Sequence, residues 1–179
     1  SNSTIDLMKN AMTLELVDGT DSELIEQIAR WYHSWWQIPK EKTLTRLRQH
    51  PNDDILLQLV VRMDSRPVAT GGLYNQVSLH QAYPTFEVLR PWVALLYTEE
   101  QHRGKGVGTF LLNSLSTIAN EKRIPKIYLY TYTAEELYNK NGWIPRERVH
   151  YKGHTTVVME KMLQRHPSPS DNDLNCKAG

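Results

Sequence analysis

The sequence predicts a single α/β domain built on a mixed, mostly antiparallel sheet of about six or seven strands, flanked by about four helices. An apolar run at 92–97, a helical pattern and a second apolar run at 126–131 follow one another, which indicates two parallel strands joined by a helix. The other strand patterns are joined by turn residues and therefore predict antiparallel pairs. We place the domain at 12–163 and expect the polar, Pro- and Ser-rich segment 164–179 to be a disordered tail.

The composition excludes several classes of protein. The 21 Lys and Arg residues nearly balance the 20 Asp and Glu residues, so we expect neither nucleic acid nor a membrane as a partner. The single cysteine, Cys176, excludes an intrachain disulfide framework. Neither a signal-peptide pattern nor an apolar run long enough to cross a membrane is found, and we expect a cytoplasmic protein.

The first predicted elements are a strand and two helices. Residues 12–17 alternate between apolar and polar side chains, as a half-buried strand does. Thr20 and Glu23 have the spacing of a capping box, which predicts that Thr20 caps the first helix. Pro39 ends this helical pattern, and the apolar residues within 44–47 indicate a short second helix.

The first predicted helix carries more aromatic side chains than one core-facing stripe requires. Trp31, Trp35 and Trp36 cannot all point in the same direction. We therefore expect Trp35 and Trp36 to line a substrate pocket. The alternative is that these rings pack beneath the sheet or in a subunit contact, which would make a homodimer plausible.

A hairpin and a long connection precede the central strand. Residues 55–61 and 68–74 read as two antiparallel strands, and Gly71-Gly72 in the second predicts a bulge or a close backbone approach. The connection at 76–90 is longer than most, and such loops often carry binding sites. Tyr83 is therefore a candidate substrate contact, and Glu87 a candidate substrate contact or general base.

A basic, glycine-rich turn links the central strand to the next helix. Gly104, Gly106 and Gly108 lie where strand becomes helix, so unpaired backbone N–H groups can converge on an anion. Arg103 and Lys105 add positive charge. A P-loop is excluded because no Gly-Lys-Ser/Thr follows at the required spacing, and a dinucleotide fingerprint lacks its third glycine. We interpret the turn as a pyrophosphate site.

The rest of the chain supplies another strand, a short helix and a closing hairpin. The strand at 126–131 precedes a helix that contains Tyr138 and ends at Asn141-Gly142. Two strands then follow, one beginning at Trp143 and one at 155–159.

Two motifs resemble those of the GNAT acetyltransferases. Arg103-x-x-Gly106-x-Gly108, overlapped by Gln101-x-x-Gly104-x-Gly106, resembles the acetyl-CoA-binding motif of that family. The segment from Leu129 to Trp143, with Ala134, Tyr138 and Gly142-Trp143, resembles a later family motif. The order of elements from about Leu14 to Leu163 also resembles the family fold. This resemblance implies that the two parallel strands splay apart to admit acetyl-CoA.

The resemblance also implies roles for individual residues. The pantetheine arm would bind the backbone of Leu96, Tyr97 and Thr98. The pyrophosphate would bind the glycine turn and the start of its helix, which comprise Arg103, Gly104, Lys105, Gly106, Val107, Gly108 and Thr109. Thr131 stands where many members have Asn, which puts one expected contact to the pantetheine in doubt.

The resemblance implies an acetyltransferase that moves an acetyl group from acetyl-CoA to a primary amine of a small molecule or peptide, by direct attack in a ternary complex. Tyr138 is the candidate catalytic residue, which would protonate or orient the leaving thiolate. We expect no metal, because His150 and His154 lie across a turn without a nearby third ligand. The alternatives are a non-catalytic CoA-binding regulatory or interaction domain and a structural module that binds no nucleotide.

Overall fold

The computed structural model describes residues 12–163. Its strands are β1 (Met12–Leu16), β2 (Ile55–Met63), β3 (Arg66–Tyr74), β4 (Trp92–Thr98), β5 (Lys126–Thr131), β6 (Ile144–Tyr151) and β7 (His154–Met162). Its α-helices are α1 (Ser22–Trp36), α2 (Lys40–Gln49), α3 (Leu79–Ala82), α4 (Val107–Glu121) and α5 (Glu135–Lys140), with 3₁₀ turns at Pro84–Val88 and Glu100–His102. The predicted disordered tail, 164–179, lies outside the described residues.

The strands form one mixed sheet in the order β1-β2-β3-β4-β5-β7-β6. Neighbouring strands are antiparallel except β4 and β5, which are parallel. These two strands share a single register pair, Trp92 with Tyr128, and then diverge. The predicted fold class is thereby confirmed, including the splayed parallel pair, and the divergence opens a gap in the middle of the sheet.

A bulge in β4 accompanies this divergence. Leu95 has φ of 56°, in the left-handed region that few residues other than glycine adopt. The register between β3 and β4 shifts between Thr70 and Gly72. At Gly72 an added Cβ would lie 2.6 Å from the carbonyl oxygen of Leu57 on β2, so β3 approaches that backbone closely. The close approach predicted at Gly71-Gly72 is confirmed.

Helices cover both faces of the sheet. On one face, Leu111 and Leu115 of α4 pack in a core that also contains Leu59 and Met159. On the other, α1 and α2 pack against the sheet in a second core that includes Ile28, Leu47, Val60 and Tyr74. Amphipathic helices on both sides bury the central strands, which accounts for their continuous apolar runs.

One predicted detail differs from the structure. The side chain of Asp21, rather than that of Thr20, caps α1 by accepting a hydrogen bond from Leu24 N at 3.1 Å. Thr20 instead donates its hydroxyl to Asp18 at 2.7 Å. The connection at 76–90 is largely ordered, because it contains α3 and a 3₁₀ turn that bury Leu79 and Phe86 in a third core. Within residues 12–163, no helix is long and apolar enough to span a membrane.

Candidate functional site

A cavity of about 350 Å³ lies where the end of β4 meets the glycine turn and α4. We call it the narrow cavity. Its lining comes from β4, the glycine turn, α4, α5 and the end of α1: Trp35, Leu96, Tyr97, Thr98, Arg103, Gly108, Thr109, Leu111, Leu112, Leu137 and Tyr138. The cavity is a gap in the sheet because β5 has diverged from β4 at this point.

The glycine turn exposes backbone N–H groups beside this cavity. Gly104 and Gly106 have φ of 73° and 83°, and no heavy atom lies within 4 Å of a Cβ built on either residue. Gly106 is the N-cap of α4, a helix of 15 residues. The first N–H groups of a helix have no partner within it, and the helix dipole adds positive potential there. This end of α4 is therefore built to bind an anion.

The Arg103 side chain is held across the mouth of the narrow cavity. Its Nε donates a hydrogen bond of 2.8 Å to the carbonyl oxygen of Thr98. Its guanidinium lies 4.3 Å from the ring centroid of Trp35 and 5.7 Å from that of Tyr97. Cation–π contacts of this kind orient the guanidinium. Arg103 thus adds a fixed positive charge beside the N-terminus of α4.

Tyr138 lies on α5, between the narrow cavity and the other side of the sheet. Its ring packs edge-on against Trp143, with 6.2 Å between the centroids. Burial raises the pKa of Tyr138, so its hydroxyl stays protonated and can donate a hydrogen bond at neutral pH. Thr131 Oγ1 accepts a hydrogen bond of 3.1 Å from Ala134 N. The threonine that departs from the family pattern therefore holds the chain where α5 begins.

A second cavity of about 530 Å³, the wide cavity, opens on the α1 and α2 side of the sheet. Trp35, Leu96 and Tyr138 line both cavities, so the two meet there. The aromatic lining of the wide cavity comes from two helices, three strands and one loop: Tyr32, Trp35, Trp36, Tyr74, Tyr130, Tyr132, Tyr138 and Tyr151. A molecule bound in the wide cavity can therefore reach one bound in the narrow cavity.

A buried polar network lies behind the lining of the wide cavity. Gln58 is fully buried, and its Nε2 donates to Tyr32 Oη at 2.9 Å and to Thr70 Oγ1 at 2.8 Å. Tyr74 Oη donates to Gln58 Oε1 at 2.7 Å, and Tyr32 Oη donates to the carbonyl oxygen of Leu95 at 2.8 Å. We call this the Gln58 network. It connects α1, β2 and β3 to the residue at the bulge of β4.

Sequence reasoning missed this network. The available signal was Gln58 itself, a lone polar residue within the apolar run 55–61. A buried amide requires hydrogen-bond partners, so such a residue indicates a polar cluster. Its partners lie on other elements, however, and the sequence does not identify them. Burial raises the pKa values of Tyr32 and Tyr74, so both remain hydrogen-bond donors.

The charged groups that line the wide cavity are cationic. Lys42 on α2 and Lys152 in the turn between β6 and β7 line it. Arg46 also lines it, but its guanidinium forms a bidentate ion pair with Asp54. Its Nε lies 2.8 Å from Asp54 Oδ2 and its Nη2 lies 2.7 Å from Asp54 Oδ1. Within residues 12–163, no Asp or Glu lines this cavity. The imidazole of His154 lines it as well and stacks on Tyr132, with 4.1 Å between the centroids.

The structure brings some of the predicted site residues together and leaves others apart. Trp35 and Trp36 line the wide cavity, and most residues assigned to the pantetheine and pyrophosphate line the narrow one. Val107 is buried beneath the glycine turn. Tyr83 lines neither cavity and donates its hydroxyl to the carbonyl oxygen of His150 at 2.5 Å. Glu87 is exposed and also lines neither cavity.

Within 12–163, no three or more His, Cys, Asp and Glu side chains come together in a way that could hold a metal ion.

Comparison with known proteins identifies the family to which the chain belongs. Residues 23–143, more than half of the chain, match the family model described as the acetyltransferase (GNAT) family. No curated protein gives a significant match. Solved structures similar to the chain include the aminoglycoside 6'-N-acetyltransferase from Enterococcus faecium, with 15% identity and a TM-score of 0.67 over 87% of this chain and 99% of that one.

Two further structures show the same fold. Ard1 from Thermoplasma volcanium has 17% identity and a TM-score of 0.64, over 87% of this chain and 99% of that one. The structure of yncA from Salmonella typhimurium, a putative acetyltransferase with its cofactor acetyl-CoA, has 18% identity and a TM-score of 0.65. That match covers 89% of this chain and 98% of that one.

Proposed function

The chain belongs to the acetyltransferase (GNAT) family, and from this premise we propose that it transfers an acetyl group from acetyl-CoA to a primary amine of a small molecule or peptide. The observation that carries the proposal is the junction of the two cavities at Leu96 and Tyr138. One cavity ends at an anion-binding helix terminus and the other is open to a second reactant. Two reactants that enter from opposite faces of the sheet would meet at this junction.

The narrow cavity suits acetyl-CoA in charge and in shape. The N–H groups at the start of α4, together with Arg103 and Lys105, would bind the pyrophosphate. Beyond Trp92, the β5 side of β4 has no strand partner within the described residues. The N–H and C=O groups of Leu96 and the N–H of Thr98 could therefore pair with an extended pantetheine arm.

Different groups of the chain would perform the separate chemical roles at the junction of the two cavities. Acetyl-CoA supplies a thioester whose carbonyl carbon accepts the amine nitrogen while the carbon–sulfur bond breaks. A backbone N–H of β4 near Leu96 would stabilise the negative charge on the carbonyl oxygen. The Tyr138 hydroxyl, which burial keeps protonated, would donate a proton or a hydrogen bond to the leaving sulfur.

The acceptor amine must also lose a proton. A lysine-like amine has a pKa of about 10.4, so most of it is protonated at pH 7. No Asp or Glu in the described residues lines the wide cavity, so water would carry this proton to solvent. Rate should therefore rise with pH until the acceptor amine is largely neutral.

Thermal melting with acetyl-CoA, followed by an assay of CoA thiol release with a panel of amines, tests the proposal. A ligand at ~100 times its Kd adds about 2.7 kcal/mol to the stability of the native state. The change Gly106→Glu should abolish this gain, because it places a carboxylate where the pyrophosphate binds.

Gly153→Glu is the matched control for that variant. Gly153 has φ of 79°, close to the 83° of Gly106, and a Cβ on it likewise meets no atom within 4 Å. The backbone strain is therefore similar at both positions, and Gly153→Glu should retain the gain from acetyl-CoA. The proposal fails if wild-type protein shows no gain at millimolar acetyl-CoA. A gain without amine-stimulated CoA release would instead favour the non-catalytic CoA-binding domain.

A further inference from the structure

The wide cavity has an uneven distribution of charge. Lys42 and Lys152 contribute to its lining, and neither lysine forms an ion pair within residues 12–163. Among the described residues that line the cavity, only the Arg46 cation is ion-paired, and its two hydrogen bonds to Asp54 neutralise its charge. With no Asp or Glu in the described part of the lining, that part carries a net positive charge.

The remaining walls of this cavity are apolar and aromatic. Tyr130 and Tyr151 meet edge to face, with 5.9 Å between their centroids, and Tyr32 and Trp36 lie 5.6 Å apart. Such rings can bury the apolar body of a ligand. The cavity thus combines an apolar surface with two unneutralised ammonium groups.

This combination discriminates among classes of amine. A molecule with several ammonium groups would meet Lys42 and Lys152 with no carboxylate in the lining to offset the repulsion. A molecule with one amine and one carboxylate would place the carboxylate against a lysine. The aminoglycoside named in one structural relative belongs to the first class, since aminoglycosides carry several amines.

We propose that the acceptor is an amine that also carries a carboxylate on an apolar or aromatic body, as an apolar amino acid does. Lys42 and Lys152 bind the carboxylate, the aromatic walls bind the body, and the amine reaches the junction at Leu96 and Tyr138. This inference rests on the proposed function. It concerns the acceptor alone and makes no claim about how acetyl-CoA binds.

CoA thiol release with matched pairs of acceptors tests the inference. The panel contains L-phenylalanine, L-leucine and L-methionine, the C-terminal amide of each, and the polycations spermidine and kanamycin. In the wild-type protein we expect kcat/KM for each acid to exceed that for its amide by about tenfold or more. The polycations should be acetylated more slowly than any of the acids.

Variants that remove one lysine charge distinguish recognition of the acceptor carboxylate from a general effect of the substitution on activity. Lys42→Met and Lys152→Met should each lower the acid-to-amide ratio, mainly by raising KM for the acid. Amidation also lowers the pKa of the acceptor amine, but that effect is the same in every variant and cancels when the ratios are compared. Lys122→Met removes an exposed charge at the end of α4 and should leave the ratio unchanged.

Each outcome of this experiment decides the inference. Transfer that favours the amides or the polycations, or an acid-to-amide ratio that neither lysine variant changes, would overturn it while leaving acetyl transfer intact. If no amine in the panel stimulates CoA release, both the inference and the proposed activity fall. Melting with acetyl-CoA then shows separately whether the protein binds the cofactor.

Discussion

The narrow and wide cavities meet at the same residues, yet they are built from different parts of the chain. The narrow cavity depends mainly on backbone, namely the strand edge of β4, the glycine turn and the N-terminus of α4. The wide cavity depends on side chains from two helices, several strands and the turn between β6 and β7. A backbone-built site can bind the same cofactor throughout a family, whereas a side-chain-built site can change its ligand by substitution.

The largest expected effect is on folding stability and concerns the Gln58 network behind the wide cavity. Gln58→Leu leaves the buried hydroxyls of Tyr32 and Tyr74 without their amide partner, so we expect the free energy of unfolding to fall by about 3 kcal/mol. Chemical denaturation measures this change. Gln49→Leu makes the same substitution at an exposed position of α2 and should change stability by less than about 0.5 kcal/mol. Equal effects of the two variants would contradict a structural role for the network.

The second prediction concerns the residue that faces both cavities. Tyr138→Phe removes the proposed donor to the leaving sulfur and retains the ring, so we expect kcat to fall about 100-fold. The melting shift produced by acetyl-CoA should be preserved. Steady-state kinetics with Tyr151→Phe, which removes a hydroxyl elsewhere in the wide cavity, provides the comparison. Wild-type turnover in Tyr138→Phe would remove Tyr138 from the mechanism.

The pH dependence of turnover follows from the same residue. Because burial raises the pKa of Tyr138 above its usual value of 10.0, the hydroxyl remains a proton donor from pH 7 to about 10. The amine, by contrast, becomes a better nucleophile as it loses its proton. The value of kcat/KM should therefore rise about tenfold per pH unit below the amine pKa and then level off, without a falling limb before about pH 10. A fall in rate beginning near pH 8 would contradict this assignment of the donor.

A third variant changes a buried tyrosine in the lining of the wide cavity and tests how folding stability depends on pH above pH 9. Burial raises the pKa of Tyr130 to about 12, and folding therefore favours its protonated form. This stabilisation is complete below the unfolded pKa of about 10 and is lost as pH rises towards 12. Tyr130→Phe should reduce the loss of stability between pH 9 and pH 11 by about 1 kcal/mol in denaturation experiments. Tyr132→Phe, at a residue 60% exposed, should not.

The smallest expected effect concerns the contact between Trp35 and Arg103 at the narrow cavity. Trp35→Leu removes the ring that stacks on Arg103, and a cation–π contact at an exposed site contributes about 0.5–1 kcal/mol. We expect the Kd for acetyl-CoA to rise about threefold to fivefold by titration calorimetry. Trp36→Leu, at a ring outside the Arg103 contact, should leave that Kd within about twofold. A larger effect at Trp36 would mean that Arg103 is oriented by something other than the stack.

Several features of the molecule were predictable because they depend on contiguous residues. The parallel pair follows from two apolar runs separated by one helical pattern, and the close backbone approach in β3 follows from Gly71-Gly72. The first helix cap was wrong by one residue, since Thr20 and Asp21 are both suitable caps and only the local hydrogen bonds distinguish them. The long connection could not be recognised as ordered, because its order comes from burial of Leu79 and Phe86 against distant residues.

The sequence by itself determined the fold class, the family and the glycine turn, because spacing within a short segment dictates strand, turn and helix terminus. Tertiary structure alone decided the wide cavity. Nothing in the sequence indicates that Lys42 and Lys152 line the same cavity, because they lie far apart along the chain. The same holds for the hydrogen bond between Gln58 and Tyr32. Only the packing of α1 and α2 on the sheet brings the cationic and aromatic side chains around one cavity and places no carboxylate in the described part of its lining.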